Sequence, residues 1–333
     1  MSSFLPRELV KWLGTEMDDT VLQSAYTITS LLVKGKNSTV YSAIDTSCQK
    51  KVAIKEITKE SLITLRGPQL GLEKAVDRVQ RRLKQIISEV VILSTLSHTG
   101  IITCIKVHQS SHRIWFILEL VDGCDLLQHV WNNGCVSETS FRNMALQMVN
   151  ILSFCHEQDI YHRDVKLENV MINEKGEIKL VDFGLSIHTK SLLTTICGTP
   201  LYCSPEMMFM ETGGCGYEGG PADVWSLGIL FYALLTGSAP FDDSSLETLR
   251  NTMRANDVYY PVSLSFHVRT LLQEMLEPNP VERITLPQIK FRLNSSLWNE
   301  SSKELCSPVS IATTVTSEDS LDELDLNSLS SLW

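Results

Sequence analysis

No run of basic residues occurs anywhere in the 333-residue chain, and its formal charge is -10. Nucleic-acid binders displace counterions with a basic surface, so this balance argues against one. Nor does any apolar run approach the roughly 20 residues that a bilayer-crossing helix needs. The longest, VWSLGILFYALL, falls well short, and no membrane span is expected. CxxC pairs are missing too. Nine cysteines (Cys48, Cys104, Cys124, Cys135, Cys155, Cys197, Cys203, Cys215 and Cys306) are scattered and odd in number. That pattern fits reduced thiols best, hence a cytoplasmic or nuclear protein is expected. The first residues, MSSFLPRELVKWLG, lack the long apolar core of a secretory signal. No internal repeat is apparent, and a monomer is expected.

What is present is an ordinary globular composition, 43% hydrophobic and 20% charged, over a length that favours roughly two domains. Up to about residue 120, β-rich runs such as YTITSLLV, TVYSAI, KVAIKEI and RIWFILEL surround a single helical pattern. In that pattern Val76, Val79, Leu83, Ile86, Val90 and Leu93 recur at spacings of three and four, a stripe suited to one face of a sheet. Beyond about residue 124 the pattern turns helical. Phe141, Ala145, Met148, Leu152 and Cys155 mark one amphipathic helix, and residues 223–235 form a second, apolar all round and therefore expected in a core. Between them NVMI and EIKLVDF, separated by NEKGE, read as a β-hairpin. The Ser-rich acidic tail has the composition of a disordered segment.

The chemistry concentrates in YHRDVKLENVMI at 161–172 and LVDFGLS at 180–186. Taken singly, an aspartate in such a loop is most often a solvated turn residue or a helix cap. Together and in this order, the stretches resemble the catalytic loop and metal-binding motif of the eukaryotic protein kinase family. The resemblance is to its serine/threonine type, in the calcium/calmodulin-dependent and AMP-activated group, and it covers roughly residues 26–292. It implies an α+β, two-lobed fold with a small β-rich N-lobe (about 26–120, one main helix) and a larger, mainly helical C-lobe (about 121–292). Residues 1–25 are then an N-terminal extension and 293–333 the disordered tail.

By this resemblance the cofactors are ATP and Mg²⁺, and the partners are protein substrates with Ser/Thr acceptors and an upstream activating kinase. Asp164 would accept the proton of the attacking hydroxyl, Lys166 would lie beside the transferred phosphoryl group, and Asn169 and Asp182 would offer hard oxygens to Mg²⁺. Lys55 of VAIK would pair with the ATP phosphates and with Glu89, the plainer readings being an exposed strand lysine and a solvated helix glutamate. Val40, Ala53 and Met171 match positions that sandwich the adenine ring, and Glu119 to Val121 match the hinge. CGTPLYCSPE at 197–206 resembles the peptide-docking end of an activation segment, with Ser204 where alanine is usual. Glu206 is expected to pair with Arg283, or else to make a mere surface contact. Thr195 sits at the activating phosphosite, with Thr194 as its competitor and Arg163 as receiver of the phosphate. Asp125 and Glu168 match carboxylates that bind basic residues upstream of the target, although both could be ordinary surface acids.

Glycine is scarce where that family uses it most. The nucleotide loop (Leu32, Val33, Lys34, Gly35, Lys36, Asn37, Ser38, Thr39 and Val40) keeps one glycine of the pattern GxGxxGxV. Gly35 stays where backbone would come closest to phosphate. Val33 is expected to cost most, since a β-branched residue stiffens the strand and resists positive φ. ATP binding with a stiffer lid is the expectation, and a pseudokinase scaffold is the alternative. A small-molecule kinase is disfavoured, because CGTPLYCSPE and DVWSLGILFYALLTGSAPF resemble parts specific to protein kinases.

Overall fold

A computed structural model of the chain describes residues 15–35, 38–60, 72–210 and 214–295. Lys36, Asn37, the core of the insertion expected before Glu89, the first 14 residues and the tail beyond 295 lie outside the described residues. The chain divides after Asp122 into two units, and its architecture is α+β.

The first unit is built on a six-stranded sheet. Its strands are β1 (Thr15–Glu16), β2 (Tyr26–Lys34), β3 (Thr39–Asp45), β4 (Lys51–Thr58), β5 (Cys104–Gln109) and β6 (Arg113–Glu119), in the order β1-β5-β6-β4-β3-β2. Only the β1–β5 pairing is parallel. Side chains alternate across the pleat, so each strand feeds two cores. Ile114 and Phe116 join Ile57 and the stripe Leu83, Ile86 and Val90 of helix α2 (Leu72–Thr95) on one face. Trp115 and Ile117 join Val52, Ile54, Ala43 and Leu22 on the other. Covering both faces is why the segment IWFIL reads as an unbroken apolar run.

The second face is closed by residues expected above to be an extension. Helix α1 (Asp19–Ala25), capped by the Asp18 side chain, presents Leu22, fully buried, to the sheet. Among the described residues this short helix accompanies the expected main helix α2. α1 was illegible because seven residues with one buried apolar position show no helical period.

The second unit is mainly helical. Helix α3 (Leu126–Asn133) follows a short β7 (Cys124–Asp125), and α4 (Glu138–His156) buries Phe141, Ala145, Met148, Leu152 and Cys155 as its spacing predicted. The predicted hairpin forms from β9 (Val170–Ile172) and β10 (Ile178–Leu180), with β8 (Ile160–Tyr161) paired to β11 (Ile187–His188) nearby in sequence. α5 (Pro205–Met208) precedes α6 (Gly219–Thr236), which is buried almost all round, as a helix apolar on every face must be. α7 (Leu246–Ala255), α8 (Phe266–Met275) and α9 (Leu286–Asn294) complete it. Among the described residues no helix is long and apolar enough to cross a membrane.

Candidate active site

The loop between β8 and β9 is held from below by a side chain that the motifs did not single out. Asp223, fully buried near the N-terminal end of α6, accepts the backbone N–H groups of His162 at 2.9 Å and Arg163 at 2.8 Å, and bonds the His156 ring at 2.8 Å. Burial alone would push its carboxyl up, but the His156 hydrogen bond and charge, with His162, hold it below the usual carboxylate range. Its partner Arg163 adopts a positive φ of 64°, a conformation that non-glycine residues rarely take and that needs such support.

On this base the carboxylate of Asp164 gathers four donors. Oδ1 accepts the N–H and the hydroxyl of Thr199, each at 3.1 Å. Oδ2 accepts Asn169 Nδ2 at 2.9 Å and lies 3.1 Å from Lys166 Nζ. Lys166 Nζ in turn donates to Thr199 Oγ1 at 2.7 Å. Thr199 is thus a site residue that motif reading passed over; its place directly after Gly198 in CGTP was the available signal. That glycine, Gly198, has a φ of 98°, and a Cβ there would lie 2.6 Å from the Arg163 carbonyl. Close approach of the activation segment to the catalytic loop requires it.

Asp182 is exposed, with a φ of 57°, and its Oδ1 accepts the Gly184 N–H at 3.4 Å. Phe183 behind it is fully buried, edge-on to His162 with centroids 4.9 Å apart. Thr195 is exposed, and its hydroxyl accepts Arg163 Nη1 at 2.7 Å, so the expected phosphosite and its receiver are already in contact. Glu206 and Arg283 form a two-pronged pair at 2.7 and 2.8 Å, with the Arg283 side chain wholly buried, which rules out a mere surface contact.

In the first unit Lys55 Nζ meets Glu89 Oε1 at 2.7 Å, with Glu89 only 4% exposed. The face that carries Lys55 is the one α2 covers, which is how the strand lysine finds the helix glutamate.

Both constellations lie within the stretch that sequence comparison identifies. A model of the protein kinase domain matches residues 26–292. CBL-interacting serine/threonine-protein kinase 17 of Arabidopsis thaliana is 36% identical over 270 residues, 80% of this chain and 58% of the relative. CBL-interacting serine/threonine-protein kinase 1 of the same plant is 40% identical over 211 residues, covering 62% and 47%. Putative CBL-interacting protein kinase 27 of Oryza sativa subsp. japonica is 34% identical over 273 residues, covering 80% and 62%. The chain belongs to the protein kinase family, on its serine/threonine side. It spans about half the length of the curated relatives it matches. Kinases of this family act on protein substrates and generally use ATP and Mg²⁺. The scaffold alternative finds no support, since the relatives are named as kinases.

The kinase's glycine-poor loop corrects one expectation. Val33 lies inside β2, paired with Val40, and is not among the positive-φ residues. Extended backbone suits a β-branched side chain, so Val33 carries no strain. Gly35 closes the turn by donating its N–H to the Ser38 carbonyl at 2.9 Å, and a Cβ on it would sit 3.3 Å from that oxygen, tight but not forbidden. Leu32, Val33 and Lys34 are exposed; Ser38, Thr39 and Val40 are half-buried. Ala53 is buried on β4 and Met171 half-buried on β9. Glu119 uses Oε1 to accept the Thr103 N–H at 2.8 Å, and Val121 is half-buried.

The two presumed specificity acids differ. Asp125 caps α3, its Oδ1 accepting the Gln128 N–H at 2.7 Å, so it does at least the plainer job. At Glu168 desolvation of the carboxyl, then the like charges of Asp164 and Asp125, push the pKa up, although the residue as a whole is exposed. Ser204, standing where alanine is usual, is fully buried and its hydroxyl has no partner. Ser204→Ala is expected to stabilise the kinase by about 1 kcal/mol, because an unsatisfied buried hydroxyl keeps its desolvation cost. Chemical denaturation of the two proteins checks this.

Proposed function

We propose that this chain transfers the γ-phosphoryl group of ATP to serine or threonine hydroxyls of proteins, preferring sites with basic residues upstream and gaining activity when Thr195 is phosphorylated. The observation that carries it is the Asp164 carboxylate held at once by Asn169, Lys166 and Thr199. Such a carboxylate is oriented to take a hydroxyl proton, and Lys166 is oriented to meet charge developing on the phosphoryl oxygens. Lys55, oriented by Glu89, supplies a cation for the other phosphates.

The residues present fit Mg²⁺. The Asn169 amide nitrogen is committed to the Asp164 carboxylate and carbonyl, at 2.9 and 2.8 Å, which reserves its oxygen as the free end, and Asp182 adds an exposed carboxylate. When bound there, the ion neutralises phosphate charge. Two protein oxygens suit an ion that fills its octahedron with water and phosphate, and among the described residues no cluster of three His, Cys, Asp or Glu competes for it.

The basic preference rests on three acids, Glu168, Asp164 and Asp125: desolvation first, and then the like charges of the other two, raise the Glu168 carboxyl, and an incoming Arg or Lys would offset those charges. Free thiols at all eight described cysteines support a reducing compartment, the cytoplasm or nucleus. The test is Mg·ATP-dependent transfer of labelled phosphate to Ser/Thr peptides with and without upstream Arg, before and after treatment with an activating kinase. Thr195→Ala protein should lose the gain from that treatment; full stimulation in the variant would remove the switch, and equal rates on both peptides would remove the basic preference.

A further inference from the structure

Thr195 is exposed, yet its backbone is not loose. Its carbonyl accepts the phenol of Tyr217 at 2.9 Å. Two residues before it, Leu193 makes a closed bridge with Tyr217, each N–H donating to the other's carbonyl at 2.8 Å. The residue before Tyr217 is Gly216, at a φ of 85°; a Cβ there would come 2.6 Å from the Leu193 carbonyl. Only glycine permits the bridge to close.

Tyr217 itself is 3% exposed, so a polar group has been buried to reach one carbonyl. Burial first, and then the nearby Cys197, push its phenol well above the ordinary tyrosine value, which keeps it a donor at any working pH. The Arg163 guanidinium neighbours the same phenol and also donates to the Thr195 hydroxyl at 2.7 Å. Four residues further on, the segment is tied again, through Thr199 to Asp164. The stretch Leu193–Thr199 is therefore closed at both ends by the protein's own backbone and side chains.

We infer that Tyr217 is a positioning residue that holds the activation segment ready without phosphorylation, so that phosphate on Thr195 adds to a pre-ordered segment instead of ordering a free one. This rests on the kinase reading above and deepens its account of Thr195. Tyr217 touches no reacting atom; it acts through the Thr195 backbone and the Arg163 side chain.

Its signature is dependence on phosphorylation state. Tyr217→Phe removes one hydroxyl whose acceptor belongs to an exposed residue that water can reach, so folding should survive, as the melting temperature will show. In unphosphorylated full-length protein the variant should lose about five- to tenfold in kcat, since one hydrogen bond shifts a two-state segment by that order. With Thr195 phosphorylated, verified by mass spectrometry, the phosphate–Arg163 contact replaces the lost tie, and kcat should come within about twofold of the equally phosphorylated wild type. Hydrogen exchange at the Leu193 amide and tryptic cleavage after exposed Lys190 should both accelerate in the unphosphorylated variant only.

Equal losses in both phosphorylation states would make Tyr217 a residue of general folding or chemistry and overturn the inference, as would no loss in either. Should Tyr217→Phe prove unstable, Gly216→Ala opens the same bridge from the backbone side and is held to the same comparison. If phosphorylation of Thr195 fails to stimulate the wild type, the switch proposed above falls, while the loss expected in the unphosphorylated variant remains a separate test.

Discussion

Asp164→Asn protein should fold like the wild type and lose about 10²- to 10⁴-fold in kcat, the range a positioned proton acceptor contributes. The substitution is isosteric, but the asparagine cannot satisfy the same partners. Both carboxylate oxygens now face donors: Thr199 on Oδ1, Asn169 and Lys166 on Oδ2. An amide NH₂ turned toward either set opposes a donor with a donor, while the remaining oxygen is too weakly basic to take a proton. Peptide phosphorylation under saturating Mg·ATP, with melting temperature as the fold control, measures it. Retention of more than about a tenth of wild-type kcat would remove Asp164 from the proton-accepting role.

The largest stability effect is expected at Glu206. Arg283 lies wholly buried, 5.1 Å above the Trp225 ring, and places Nη1 and Nη2 on the two Glu206 oxygens. Its remaining donors reach the carbonyls of Glu277 at 2.9 Å, Pro221 at 2.7 Å and Pro278 at 3.2 Å. Truncating Glu206→Ala leaves a buried cation facing only carbonyl dipoles and the Trp225 ring, and breaking one side of such a pair costs about 3–5 kcal/mol. Denaturant unfolding should show that loss. Replacing both partners by methionine should recover much of it, because the penalty belongs to the stranded charge and not to the missing bond. A loss under about 1 kcal/mol for Glu206→Ala would instead mean that the pair is no better than an exposed one.

Much of the architecture was legible because it repeats along the chain. The α2 stripe at Leu83, Ile86 and Val90 and the α4 stripe at Phe141, Ala145 and Met148 each carry a helical period, and the turn residues of NEKGE mark the β9–β10 hairpin. α1 was not legible, since one buried leucine in seven residues makes no period. Val33 was misjudged because the family pattern suggested a turn position, whereas pairing with Val40 places it in a strand.

What the sequence determined by itself was the chemistry: a lysine on a strand, a glutamate on a helix, and the ordered Asp164, Lys166, Asn169 and Asp182, residue types that phosphoryl transfer needs and that occur within short readable stretches. What only the tertiary structure decided was which distant groups hold them. Asp223 binds the Arg163 amide across 60 positions, Thr199 reaches Asp164 across 35, and Tyr217 reaches Thr195 across 22. Local periodicity and turn propensity act over a few residues, while a buried hydrogen-bonding group must find its partner wherever packing brings one, at any separation along the chain.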